Sequence, residues 1–364
     1  MAESFDLAIL DASPLKEAIA YGRWNSDMAV SRLSFGTALD ELRGFRDHIN
    51  RSLRATEKRP DFRELTTYGH KLFAFCIRDD LAQLYSRLPS GQVRIHILSN
   101  QPEVRAIPWE YWQEPAHTPG PRRDRSVVRI VPVIGQLPPP PLEIKEQIRV
   151  LFASAEPVDQ EPVSWTEVRD EIETTFRARL DRIGKDGESA KFEFKAIDGT
   201  TRTALLDAVT QEPFDIFHFS GHGEVVKGIG YLILTDRKTR KSVRIRADEL
   251  GQILGHRQIR LAVLSACETA AGDFKDDFSL VAESLVRAGI PAVVANQLPI
   301  PDKTVATFVE ALYKELLKSG DIDRAVGEGR IRLSIDLGGS TDAVLEWGVP
   351  TIYRHIGAAQ ILRP

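Results

Sequence analysis

Two segments of this 364-residue chain carry residues able to do nucleophilic chemistry. One is Ser220-Gly221-His222-Gly223-Glu224, directly after an apolar run at 214–219. The other is Ser265-Ala266-Cys267-Glu268-Thr269, directly after an apolar run at 259–264. Both runs have strand length and strand composition, so a histidine and a cysteine each leave the carboxyl end of a strand, 45 residues apart from 222 to 267. A free thiol has a pKa of about 8.5, and only the thiolate attacks; an adjacent imidazole supplies the base or ion-pair partner. The glycines flanking His222 predict a sharp turn there and a close approach to substrate. They also leave the Gly223 N–H, with that of Cys267, to face a developing oxyanion. Singly, such a cysteine reads as core and such a histidine as a turn residue. Together, at two strand ends that a parallel sheet sets side by side, they read as a catalytic pair.

The surrounding pattern predicts that sheet. Strand-like runs lie at 148–153, 192–196, 214–219, 259–264 and 292–295. Helical stretches alternate with them: about 164–183, opened by the Ser164/Glu167 capping-box spacing, then 200–209, 278–288, and a helix carrying Val305, Phe308, Val309, Leu312 and Leu316. Strands alternating with helices predict an α/β fold, a mostly parallel sheet flanked by helices. Sites in such sheets form beyond the carboxyl ends of the strands. The Pro-rich stretch at 137–142 cannot be helix or central strand, and 137–146 reads as a linker. Before it, strands at 5–10, 27–35, 93–98 and 127–133 mix with helical spacing at Leu39, Leu42, Phe45, Ile49 and at Leu65, Leu72, Phe75, Cys76. The expected division is a mixed α/β domain at 1–136, the linker, and a catalytic domain at 147–364.

Bulk composition narrows the classes. A net charge of −4 with interspersed signs steers the chain toward neither nucleic acid nor anionic membrane. Two distant cysteines make no disulfide framework, and no signal peptide or membrane span is visible, so a cytoplasmic protein is expected. No metal-ligand spacing exists and Gly228-Ile229-Gly230 lacks a dinucleotide frame, so no metal or cofactor is expected. Other candidates read as structure. Cys76 lies on an apolar helix face, His218 inside a strand as core or a tautomer-setting neighbour, and His256 in a solvated turn. The Arg122, Arg123, Arg125 cluster reads as a solvated loop. Trp109-Glu110-Tyr111-Trp112 reads as a domain-joining core. The hydrophilic loops at 235–241 and 272–277 are candidates for processing or for ordering on activation.

The segments DIFHFSGHGE (215–224), GYLIL (230–234), LAVLSACETAAGD (261–273), the run 279–302 and WGVPTIY (347–353), in this order, resemble the CHAT family of the caspase and separase clan. Ala106-Ile107-Pro108-Trp109-Glu110 resembles its upstream Pro-Trp-Glu segment. The His-to-Cys spacing is near the roughly 50 residues of caspases. The resemblance implies a caspase-type fold, cysteine endopeptidase activity with His222 and Cys267 as the dyad, and an oxyanion hole from the backbone of Gly223 and Cys267. It also implies a protein substrate, an activating protein partner, and a prokaryotic defence or cell-death role such as cutting a gasdermin-like pore former. In several members the N-terminal half is a degenerate caspase-like unit, and residues 1–136 are a candidate for one. Relatives that cut after Arg or Lys carry an acidic residue two positions before the nucleophile, where this chain has Ser265. Ser265 and Asp215 are the candidate substrate-binding residues, with Asp273 and Asp277 as further acidic candidates. The competing readings are a catalytically silent scaffold and a thiol acyltransferase or ligase using the same pair.

Overall fold

The computed structural model describes residues 3–11, 17–34, 36–99, 101–115, 117, 120–133, 135, 137–144, 147–185, 191–255, 258–268, 279–337 and 344–363. The chain divides into two compact units, Met1–Ile130 with Arg330–Val349, and Val131–Gly329 with Pro350–Pro364.

The first unit is built from β1 (Glu3–Asp11), β2 (Glu17–Trp24), β3 (Asp27–Ser34), α1 (Gly36–Leu53), α2 (Phe62–Cys76), α3 (Asp79–Ser86), β4 (Val93–Ser99), α4 (Pro102–Arg105) and β5 (Arg125–Ile130). Its strands run in the order β3-β2-β1-β4-β5, antiparallel in the β1-β2-β3 meander and parallel across β1, β4 and β5. Strict alternation drives this pairing: Phe5, Leu7 and Ile9 are fully buried, as is Ile95 opposite Phe5. Helix α2 starts at a reciprocal capping box between Asp61 and Glu64. The tryptophan segment forms a 3₁₀ turn at Trp109–Tyr111 inside this unit, where Trp112 packs on Phe73 and Tyr85. Residues from late in the chain complete the core. The Arg59 guanidinium donates to Glu346, the Tyr111 hydroxyl donates to the Leu345 carbonyl at 2.5 Å, and Trp347 meets the Tyr111 ring edge-on at 5.0 Å.

The second unit carries β6 (Leu142–Glu143), β7 (Ile148–Ser154), α5 (Trp165–Lys185), β8 (Phe192–Ile197), α6 (Arg202–Gln211), β9 (Ile216–Val226), β10 (Ile229–Thr235), β11 (Ser242–Arg246), α7 (Ala247–Gly255), β12 (Leu261–Glu268), α8 (Ser279–Arg287), β13 (Ala292–Asn296), α9 (Asp302–Ser319), the start of α10 (Ile322–Asp336), β14 (Pro350–Arg354) and β15 (Leu362–Arg363). Its main sheet runs β8-β7-β9-β12-β13-β14, with every pair parallel except β13/β14. On one face Phe217, Phe219, Ala262 and Leu264 join a single apolar cluster with Leu205 of α6, Leu250 of α7 and Leu285 of α8. On the other, Phe176 of α5 stacks on Phe192 of β8 and meets Tyr313 of α9 at 5.1 Å. Both faces are covered, which is why these strands read as near-continuous apolar runs.

Strand β9 differs from the sequence expectation. Its first half, Ile216–Ser220, lies between β7 and β12, whereas its second half pairs antiparallel with β10 over His222–Val226. His222 therefore sits within a strand rather than in a turn after it. Gly221 serves packing, not turning: a Cβ there would stand 2.8 Å from the Phe219 ring and 3.2 Å from the Ala155 carbonyl oxygen.

Candidate active site

The site forms where β9 and β12 run side by side. Their parallel register sets Leu264 opposite Phe219, Ser265 opposite Ser220, Cys267 opposite His222 and Glu268 opposite Gly223. The period-two alternation of β9 sends Phe217 and Phe219 into the apolar cluster and leaves His218, Ser220 and His222 on the opposite face. Gly223 lies in the ladder between Glu268 of β12 and Leu232 of β10.

His222 is 8% exposed, and its Nε2–H donates to the backbone carbonyl of Glu161 at 2.7 Å. A carbonyl only accepts, so Nε2 carries the proton and the neutral ring keeps its lone pair on Nδ1. None of the described residues bonds Nδ1. Glu161 sits on the segment between β7 and α5, and that segment is tied down beside it. The Val158 N–H donates to the Arg240 carbonyl at 3.0 Å, and the Ser242 N–H and hydroxyl donate to the Asp159 carboxylate at 2.7 and 3.0 Å. The turn at 235–241 thus anchors the segment that holds the imidazole. Within that turn Asp236 accepts from the Lys238 and Thr239 N–H groups at 3.0 and 2.7 Å.

His218 is fully buried and stacks on Phe152 at 5.6 Å between ring centres. Its Nδ1 lies 3.0 Å from the Tyr313 hydroxyl and its Nε2 2.9 Å from the Ser265 hydroxyl. Burial pushes its pKa down to about 3. In the unfolded chain the same ring takes its proton near pH 6.5. The unfolded state therefore binds protons first as pH falls, and the stabilising contribution is complete above about 6.5 and lost toward 3, at up to about 1.4 kcal/mol per pH unit. Urea midpoints are expected to fall between pH 6.5 and 4.5 with a steeper slope in the native sequence than in His218→Phe. Equal slopes in the two proteins would refute the assignment.

Of the other expected site residues, Asp215 is separated from this centre and Ser265 adjoins it. Asp215 precedes β9, seven residues before His222 and so about 23 Å away along the strand. Its carboxylate accepts from the Arg149 N–H at 2.9 Å and from Arg260 at 3.0 Å, which makes it a clasp at the opposite end of the sheet. Ser265 stands two register pairs before the Cys267–His222 pair, with its hydroxyl held by His218. Cys76 is buried and its thiol is pushed up strongly by burial. His256, Asp273, Asp277 and the loop 272–277 lie outside the described residues. Among the described residues no cluster of His, Cys, Asp and Glu could hold a metal ion, and no helix is long and apolar enough to cross a membrane. The Glu161 carbonyl escaped sequence reasoning because a backbone acceptor has no side-chain signature. Tyr313 escaped because it looks like one more apolar position of an amphipathic helix.

A mostly parallel sheet with helices on both faces and a His–Cys register pair at the strand ends is a caspase-like protease fold. Residues 66–353 match the CHAT domain, and the chain belongs to the CHAT family. Among solved structures, it superposes on Saccharomyces cerevisiae separase, seen in a separase–securin complex, with a TM-score of 0.51 and 12% identity, over 97% of this chain and 30% of that one. The chain thus spans under a third of the separase chain it matches, and the likeness is one of fold. The Drosophila initiator caspase Dronc aligns with a TM-score of 0.38 and 9% identity, over 64% of this chain and 96% of that one. No curated protein sequence matches the chain.

Proposed function

We propose that this chain is a cysteine endopeptidase that cuts a protein partner, with Cys267 as nucleophile and His222 as its base. The observation that carries the reading is the Cys267–His222 register pair, combined with the Glu161 carbonyl that fixes the His222 tautomer with its lone pair on Nδ1. His222 takes the thiol proton, and the Cys267 sulfur adds to the scissile carbonyl carbon. The oxyanion is met by the N–H groups of Cys267 and Gly223. Collapse breaks the C–N bond as His222 returns the proton to the leaving amine. Water, deprotonated by His222, then hydrolyses the thioester and frees the thiol.

The first unit is read as a degenerate caspase-like half. It has its own parallel β1-β4-β5 core, and its one cysteine, Cys76, is buried, with its thiol pushed up by that burial. A cytoplasmic setting, control by a protein partner and a defence or cell-death role, such as cleaving a gasdermin-like pore former, complete the proposal. Family likeness supports them.

The test needs no substrate. Iodoacetamide labelling followed by peptide mass spectrometry gives the rates at Cys267 and Cys76 across pH. Cys267 is expected to react well below its free-thiol pKa of about 8.5, to slow in His222→Ala, and to outpace Cys76 throughout. A Cys267 profile that is the same in His222→Ala as in the native sequence would defeat the dyad.

A further inference from the structure

One buried titratable group is unused by the proposed chemistry and sits directly beneath it. His218 bridges two elements: Tyr313 of α9 on Nδ1, and Ser265 of the neighbouring strand β12 on Nε2. Hydrogen accounting fixes the direction of both bonds. Tyr313 is fully buried, burial keeps its phenol protonated, and among the described residues its hydroxyl has no partner except His218. If Nδ1–H donated to Tyr313, the phenolic hydrogen would be buried with no acceptor, at a cost of about 1–3 kcal/mol. Tyr313 therefore donates to Nδ1, the ring proton is on Nε2, and Nε2–H donates to the Ser265 hydroxyl oxygen.

The second of these bonds is diagonal. In register, His218 faces Val263 and Ser265 faces Ser220, so the bond reaches two pairs further along the ladder. It resists sliding of β12 along β9. Counting onward, Cys267 is two residues past Ser265 and His222 is four past His218, so the Ser265 end of the tether lies two register pairs before theirs. A misplacement of about 1 Å is enough to cost a reaction about a hundredfold.

We propose that His218 is a positioning residue: its bonds to Tyr313 and Ser265 tie β12 to β9 and α9, and so hold the strand ends that carry Cys267 and His222 in alignment. The proposal rests on the dyad reading, and its test separates the two. Iodoacetamide rates at Cys267 across pH are compared in the native sequence, His222→Ala, His218→Phe, Tyr313→Phe, Ser265→Ala and Ser265→Thr, with thermal unfolding recorded for each. In Tyr313→Phe, which removes one hydroxyl from the interior, the rate at pH 7 is expected to fall about tenfold and the profile to move up by about one pH unit. His218→Phe keeps the ring stack on Phe152 and gives the same loss. Combined with Tyr313→Phe it adds nothing, because both remove one chain of bonds. Ser265→Thr, which keeps the hydroxyl, retains the native profile where Ser265→Ala does not.

Native profiles in Tyr313→Phe and His218→Phe, alongside a slowed His222→Ala, would overturn the positioning role and leave the dyad standing. A native profile in His222→Ala would remove the dyad and this proposal together. Should His218→Phe fail to fold, Tyr313→Phe and the two Ser265 variants decide the matter.

Discussion

Cys267→Ala is expected to abolish peptide-bond cleavage, lowering turnover about 10⁴-fold or more, because no later step can proceed without the acyl-enzyme. The readout is the set of new N-termini that the native protein generates from a peptide library, counted by mass spectrometry. Urea unfolding of the variant is expected to match the native protein, since the substitution removes only a sulfur atom. His222→Ala is expected to fall as far, and the double variant no further, because nucleophile and base act as one unit. Persistence of the same cleavages in Cys267→Ala would mean that another group does the chemistry. Absence of any cleavage by the native protein, with Cys267 labelling no faster than a buried thiol, would point to a scaffold.

The largest structural effect is expected at the opposite end of the second unit. Arg354, the last residue of β14, and Asp323, in the first turn of α10, are both about 1% exposed. Their ion pair is bidentate, with both N···O distances 2.8 Å, and the guanidinium also donates to the His355 and Ile356 carbonyls at 3.0 and 2.9 Å. Asp323→Ala strands a buried guanidinium without its carboxylate, at a cost of about 3–5 kcal/mol. For a chain of 364 residues that corresponds to a fall of about 5 °C in the unfolding midpoint. Replacing both partners by apolar residues of similar volume, Asp323→Leu with Arg354→Met, is expected to recover most of the loss. A native midpoint in Asp323→Ala would show that the pair contributes nothing, and calorimetry measures it directly.

Much of this architecture was legible in the residues. The runs at 148–153, 192–196 and 292–295 are short, apolar and punctuated, and each is a strand; the Val305–Leu316 periodicity is the buried face of α9. The apolar runs leading to His222 and Cys267 were visible because a reactive residue directly after such a run has few other places to go, although His222 lies inside its strand and not beyond it. What was hidden depends on partners distant in sequence. Glycines at 221 and 223 look like turn residues until β10 is known to pair with the strand that contains them. The strand Glu17–Trp24 holds its place through its neighbours β1 and β3 more than through its own composition. Asp215 looked close to the chemistry because it is close in sequence, yet seven extended residues carry it to the far end of the sheet.

The interleaving of the two units bears on how the chain is made. Arg59 and Tyr111 find their partners in Glu346 and Leu345, so the unit that emerges first from the ribosome lacks its final segment until residue 349 has been joined. Some 200 residues separate the two parts of that unit, from Ile130 to Arg330. At bacterial or eukaryotic elongation rates this is a wait of about 10–40 s. During that interval the sides of Arg59 and Tyr111 that meet this segment stand open on the nascent chain, so the unit begun first is completed only after most of the second has been made.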